Sequence, residues 1–105
     1  MTLTELYSGL NAIKPTAYRQ FSKPQSLPYI VYYELASDDT FADNVNFVER
    51  SLVNIELYIA KKDTASTSVE NQIKTFLKNN EITYSTTEIY LGDEKCVEIL
   101  FEIRI

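Results

Sequence analysis

The chain has 105 residues, 45% of them hydrophobic and 24% charged, and its ten basic and fifteen acidic side chains leave a net charge of -5. These proportions predict one domain around a single core and exclude intrinsic disorder. No histidine, one cysteine and two glycines exclude a histidine-based catalytic centre, an internal disulfide, a multi-cysteine metal site and glycine-rich phosphate loops.

Residues 2 to 13 place Leu3, Leu6, Tyr7, Leu10 and Ile13 at helical spacing, and Thr2 with Glu5 forms a capping-box pattern at the start. Lys14-Pro15 ends this first helix, because the residue before proline avoids helical geometry. A short strand is expected from Ala17 to Phe21, then a loop from Ser22 to Pro28. The β-branched and aromatic run from Tyr29 to Leu35 predicts a second strand.

Ala36 to Asn46 is rich in turn formers and reads as the long tip of a hairpin. The next strand, Phe47 to Ala60, carries Val53, Ile55, Leu57 and Ile59 at a period of two. Glu49 and Ser51 interrupt the same face nearer Phe47, so the first half is expected to project as a ribbon toward a partner.

Asp63 to Asn79 predicts a second helix with Val69, Ile73, Phe76 and Leu77 on one face, and Thr67 with Glu70 offers a second capping box. Two strands follow, Thr83 to Leu91 and Lys95 to Ile105, joined by a tight hairpin around Gly92-Asp93-Glu94. In the last strand Val97, Ile99, Phe101, Ile103 and Ile105 alternate with Cys96, Glu98, Leu100, Glu102 and Arg104, which predicts one buried and one mostly wet face. The order αβββαββ predicts an α+β fold: an antiparallel-dominated sheet with both amphipathic helices on one face and a projecting hairpin.

Candidate chemistry is sparse. Cys96 has no histidine to make it a thiolate, and a structural role is expected. Asp38, Asp39 and Asp43 could face a calcium ion, but the twelve-residue loop with its central glycine and terminal glutamate is missing, so a solvated acidic loop is the simpler reading. Asp93 and Glu94 suit a turn better than an acid-base pair, and Lys61-Lys62 suits a solvated surface. No catalytic residue, cofactor or metal is expected. Acidic charge without a basic tract argues against binding DNA, and the longest apolar runs fall far short of the ~20 residues of a membrane span. No secretory signal opens the sequence, so synthesis in the cytoplasm is expected. Eight tyrosines without tryptophan, with Tyr29, Tyr32 and Tyr33 on one strand, require some to face outward, where tyrosine favours protein interfaces.

Leu-Pro-Tyr-Ile-Val-Tyr-Tyr at 27 to 33, Asp43-Asn44 in the hairpin tip, and Val-Asn-Ile-Glu-Leu-Tyr-Ile-Ala-Lys-Lys-Asp at 53 to 63 carry a resemblance. So do the helix from Thr64 to Asn79, Tyr84, Glu88-Ile89-Tyr90, Glu94-Lys95 and the run from Ile99 to Ile103. Together, over most of its length, the chain resembles the small tail-completion, or tail-terminator, proteins of long-tailed bacteriophages and prophages. The resemblance implies a non-enzymatic virion protein that forms a ring, commonly a hexamer, at the head-proximal end of the tail tube. It implies as partners further copies of the chain, the tail tube protein and head connector proteins, with DNA passing through the bore without specific binding. The free chain could remain monomeric until it meets its template. The sequence assigns the oligomer interface to strand edges and to the arm bearing Asp38, Asp39, Phe41, Asp43, Asn44, Val45 and Phe47. The alternative reading is a small acidic inhibitor that imitates DNA phosphates, though the carboxylates are interspersed with basic residues. An enzyme using Asp93 and Glu94 is the third.

Overall fold

A computed structural model describes residues 1–37 and 51–105. The elements are α1 (Leu3–Asn11), β1 (Thr16–Tyr18), β2 (Tyr29–Ser37), β3 (Ser51–Ile59), α2 (Val69–Asn79), β4 (Tyr84–Leu91) and β5 (Cys96–Arg104). The strands form one sheet in the order β1-β2-β3-β5-β4. Only β1 and β2 are parallel; the other three pairings are antiparallel. The fold is α+β with the expected element order.

Both helices cover the same side of the sheet. Leu6 and Leu10 of α1 and Ile73 and Leu77 of α2 are fully buried against Ile30, Val53, Ile55, Leu57, Ile99, Phe101 and Ile103. Register explains the layer: Ile59, Leu57, Ile55 and Val53 of β3 lie opposite Val97, Ile99, Phe101 and Ile103 of β5. Directly paired residues share a face, so two period-two stripes merge into one apolar sheet surface. Burying each of these large side chains contributes about 1.5–3 kcal/mol, which makes this layer the main source of stability.

Local signals fix the helix ends. The Thr2 hydroxyl accepts from the Glu5 backbone N–H at 3.1 Å and Glu5 accepts from the Thr2 N–H at 2.8 Å, completing the expected capping box. The second helix starts at Val69, not Asp63. Asp63 accepts from the Ala65 N–H at 3.0 Å and so closes a turn, and Ser68 caps the helix by accepting from the Asn71 N–H at 3.3 Å. Glu70 therefore leaves the predicted capping box and is drawn inward, 5% exposed, between Lys62 at 2.8 Å and Lys74 at 3.0 Å. Lys62 also reaches Glu88 of β4 at 3.3 Å, tying the end of β3 to the helix and the sheet margin. At the other end Glu81 takes a left-handed φ of 57°, with Glu81 N–H donating to the Lys78 carbonyl and Ile82 N–H to the Leu77 carbonyl.

Strand boundaries differ from expectation, by one residue at several ends and by more at β1 and β2. β1 spans Thr16–Tyr18, earlier than the predicted 17–21, because Arg19 turns to a φ of 69° and ends the ladder. β2 runs to Ser37, with an irregularity in pairing between Glu34 and Ser37. The β4–β5 connection is a four-residue turn over 92–95 in which Lys95, not Gly92, takes the left-handed conformation. The projecting ribbon tip lies outside the described residues, and β3 is described from Ser51.

Candidate functional site

Alternation along each strand sends every second side chain to the side that no helix covers. On β2 these are Tyr29, Val31 and Tyr33; on β3 they are Asn54, Glu56 and Tyr58; on β5 they are Cys96, Glu98, Leu100, Glu102 and Arg104. The ladder sets Tyr33 opposite Asn54, Val31 opposite Glu56, Tyr29 opposite Tyr58, and Tyr58 opposite Glu98. This face is not the mostly wet surface that alternation predicts. Val31 is 7% exposed, Asn54 9% and Cys96 3%, while Tyr29, Tyr33, Glu56, Tyr58 and Glu98 are half-buried. The β1–β2 connection contributes: Phe21 packs edge-on to Tyr29 with ring centroids 5.6 Å apart.

Glu56 organises the face. One carboxylate oxygen accepts from the Tyr33 hydroxyl at 2.7 Å and the other from the Tyr58 hydroxyl at 2.7 Å. Asn54 Nδ2 donates to the Tyr33 oxygen at 3.2 Å, while Asn54 Oδ1 is buried without a hydrogen-bond partner among the described residues. The Tyr29 and Tyr58 rings stack at 4.9 Å with an interplanar angle of 23°. Burial, then the hydrogen bond to Glu56 and its charge, push the Tyr58 phenol far above its ordinary range, so it stays protonated. Burial and the neighbouring Glu56 carboxylate raise Glu98 above the usual glutamate value, against the lowering effect of the Tyr58 hydroxyl. The Cys96 thiol is raised by burial and by Glu94 and Glu98, which keeps it protonated and unreactive. Beside this row a cleft of about 490 Å³ opens between the β1–β2 connection and the sheet, lined by Phe21, Tyr29, Glu56, Tyr58 and Glu94, with Arg19 and Lys23 on its rim.

The second feature is the β4 margin. Tyr84-Ser85-Thr86-Thr87-Glu88-Ile89-Tyr90-Leu91 ends the sheet, and among the described residues no strand pairs its outer side. Its residues from Tyr84 to Tyr90 are all exposed, with Tyr90 at 72%. The strand contains no lysine and no proline, the residues with which proteins usually blunt an edge. β1 bounds the opposite margin and is only three residues long.

Asp38, Asp39, Phe41, Asp43, Asn44, Val45 and Phe47, the interface residues expected from the sequence, lie outside the described residues. Asp93 and Glu94 sit in the exposed β4–β5 turn, where Glu94 accepts from the Cys96 thiol at 4.0 Å. Lys62 is not simply solvated, since it holds Glu70 and Glu88. Among the described residues no three histidine, cysteine, aspartate or glutamate side chains are grouped so as to hold a metal ion. Of the clustered tyrosines, Tyr32 enters the core side at 6% exposure, and Tyr29 and Tyr33 take the helix-free side. The Asn54–Glu56–Tyr58 row was not singled out in the sequence. Its one signal there is that β2 is apolar or aromatic on both faces, as in a strand covered from both sides.

No protein-family model and no curated protein sequence matches this chain.

Proposed function

We propose that the protein is a non-enzymatic structural component of a phage or prophage virion, a tail completion or terminator protein. In this reading copies of the chain close into a ring at the head-proximal end of the tail, contact the tail tube and head connector proteins, and let DNA pass without binding it. The observation that carries the reading is the β4 margin. An eight-residue edge with one charge, Glu88, and outward Tyr84, Ile89 and Tyr90 offers a full row of backbone donors and acceptors to another chain. The two margins of the sheet are unlike, so joining one to a different surface of the next copy is a heterologous contact, the kind that generates rings when its rotation closes. The net charge of -5 suits a bore that must release DNA.

The test is light scattering and negative-stain microscopy of the chain alone and mixed with isolated tail tubes. Annular particles or capped tube ends are expected. The double substitution Thr87→Lys and Ile89→Lys, which sets two positive charges along the exposed strand, should keep the circular dichroism spectrum and abolish both. Absence of rings and caps with the unsubstituted chain overturns the reading.

A further inference from the structure

The row of Tyr33, Asn54, Glu56, Tyr58 and Glu98 on the helix-free face holds more acceptors than donors. Tyr33 and Tyr58 each carry one phenolic proton, and both go to Glu56. Asn54 commits Nδ2 to Tyr33 and leaves Oδ1 buried and unpartnered on a residue only 9% exposed. A buried acceptor left without a donor marks this row as short of donors. Glu98 stands one strand over, beside Tyr58, and one phenolic proton cannot serve two carboxylates. Among the described residues the ion pairs join Lys62 and Lys74 to Glu70 and Glu88 on the helix side. Arg19 lies over the Tyr18 ring at 5.1 Å, and Arg104, further along this face, has interactions of its own.

We infer that this face binds an arginine side chain presented by an extended segment of a partner protein, with the guanidinium between Glu56 and Glu98 and flat against Tyr58. Guanidinium supplies five donors and no acceptor, which is the complement of this row. Its plane matches the stacked Tyr29–Tyr58 pair, where a cation over a tyrosine face is favourable. The cleft of about 490 Å³ beside Glu56 and Tyr58 leaves room for an arginine side chain and the backbone that carries it. Between Glu56 and Glu98 a phosphate-bearing ligand would meet like charge, although Arg19 and Lys23 line the neighbouring cleft, and a metal ion lacks a third carboxylate or thiol ligand among the described residues. Glu98 lies opposite Ile89 of β4, so the site adjoins the β4 margin, but its proposed occupancy does not depend on whether copies of the chain close into rings.

The experiment is an NMR titration of the full chain with the capped peptide Thr-Val-Arg-Val-Thr, and with versions carrying citrulline or norleucine in place of arginine. The arginine peptide should give saturable shifts at the amides of Asn54, Glu56, Tyr58 and Glu98 and at the Asn54 side-chain NH₂. Affinity should fall by about tenfold with citrulline and further with norleucine, as expected when charge-assisted hydrogen bonds are lost. Glu56→Gln should weaken binding by a similar factor, with Glu98→Gln as a second variant that keeps the Tyr33 and Tyr58 hydrogen bonds to Glu56; Glu81→Gln, beyond the end of α2, should leave the peptide affinity unchanged. Equal response to the arginine and norleucine peptides, unchanged affinity in both Glu56→Gln and Glu98→Gln, or no saturable shift at these amides overturns the inference. None of these readouts depends on ring formation, so the assembly reading and this one fail separately.

Discussion

The ring of Phe76 on α2 lies directly over Gly9 on α1, so closely that a Cβ built on Gly9 would stand 2.2 Å from two of its carbons. The absent side chain is what lets the two helices share one side of the sheet. Gly9→Ala gains about 1 kcal/mol of helix propensity but must displace a packed aromatic ring, at a cost of about 1–3 kcal/mol. Urea denaturation should show net destabilisation. In a Phe76→Ala background the clash is gone, and Gly9→Ala should become stabilising; a substitution with the same sign in both backgrounds would refute the contact.

Glu81 closes α2 in a conformation that glycine adopts without penalty. Its N–H and that of Ile82 cap the last turn, so the backbone geometry is needed and the side chain is not. Glu81→Gly should therefore raise stability by about 0.5–1 kcal/mol, read from the shift in the denaturation midpoint at unchanged slope.

Burial alone would raise Glu70, but the hydrogen bonds from Lys62 and Lys74 prevail and hold its carboxyl below the usual value. A depressed folded pKa gives stability that is present above the unfolded value of 4.5 and is lost as pH falls through the folded one. Glu70→Gln should lower stability at pH 7 by about 1–3 kcal/mol, since it removes the charge shared by two lysines. It should also flatten the acid limb of the stability curve below pH 4.5, where the unsubstituted chain loses this contribution.

Glu98 has the opposite sign. Its raised folded pKa means that the native state holds a proton the unfolded chain has released, so stability declines as pH rises from 4.5 through the folded value. Glu98→Gln should remove that decline and leave the chain more stable at pH 7 than the unsubstituted protein. Thermal melts at pH 4 and pH 7 compare the two.

Asn54→Val addresses the orphaned oxygen directly. Valine suits a strand and leaves no buried acceptor, so a gain of about 1 kcal/mol in denaturant stability is expected, although the bond to Tyr33 is lost. The same substitution should weaken the arginine peptide, which would mark Asn54 as a residue kept for binding at some loss of stability.

Period-two and helical stripes made the core legible, because Val53, Ile55, Leu57 and Ile59 and their partners on β5 satisfy a local rule and a global one at once. Thr2 and Glu5 were equally legible, being three residues apart. The start of α2 was ambiguous because Asp63, Thr67 and Ser68 are all cap formers, and only the inward pull of Lys62 and Lys74 on Glu70 decides among them. The helix-free site was the least legible part. Tyr33 and Glu56 are separated by 23 positions and meet only through strand register, which no single segment encodes.

The strand order carries a consequence for biosynthesis. β5 lies between β3 and β4, so the last of these five strands in chain order takes an interior place in the sheet. Until residues 96–104 clear the ribosome, Val53, Ile55 and Leu57 have no neighbour on that side, and Phe101, fully buried once in place, has yet to arrive. Most of the hydrophobic layer must therefore form after β5 has been translated, through contacts of long sequence separation, leaving nascent intermediates open to chaperones and to one another.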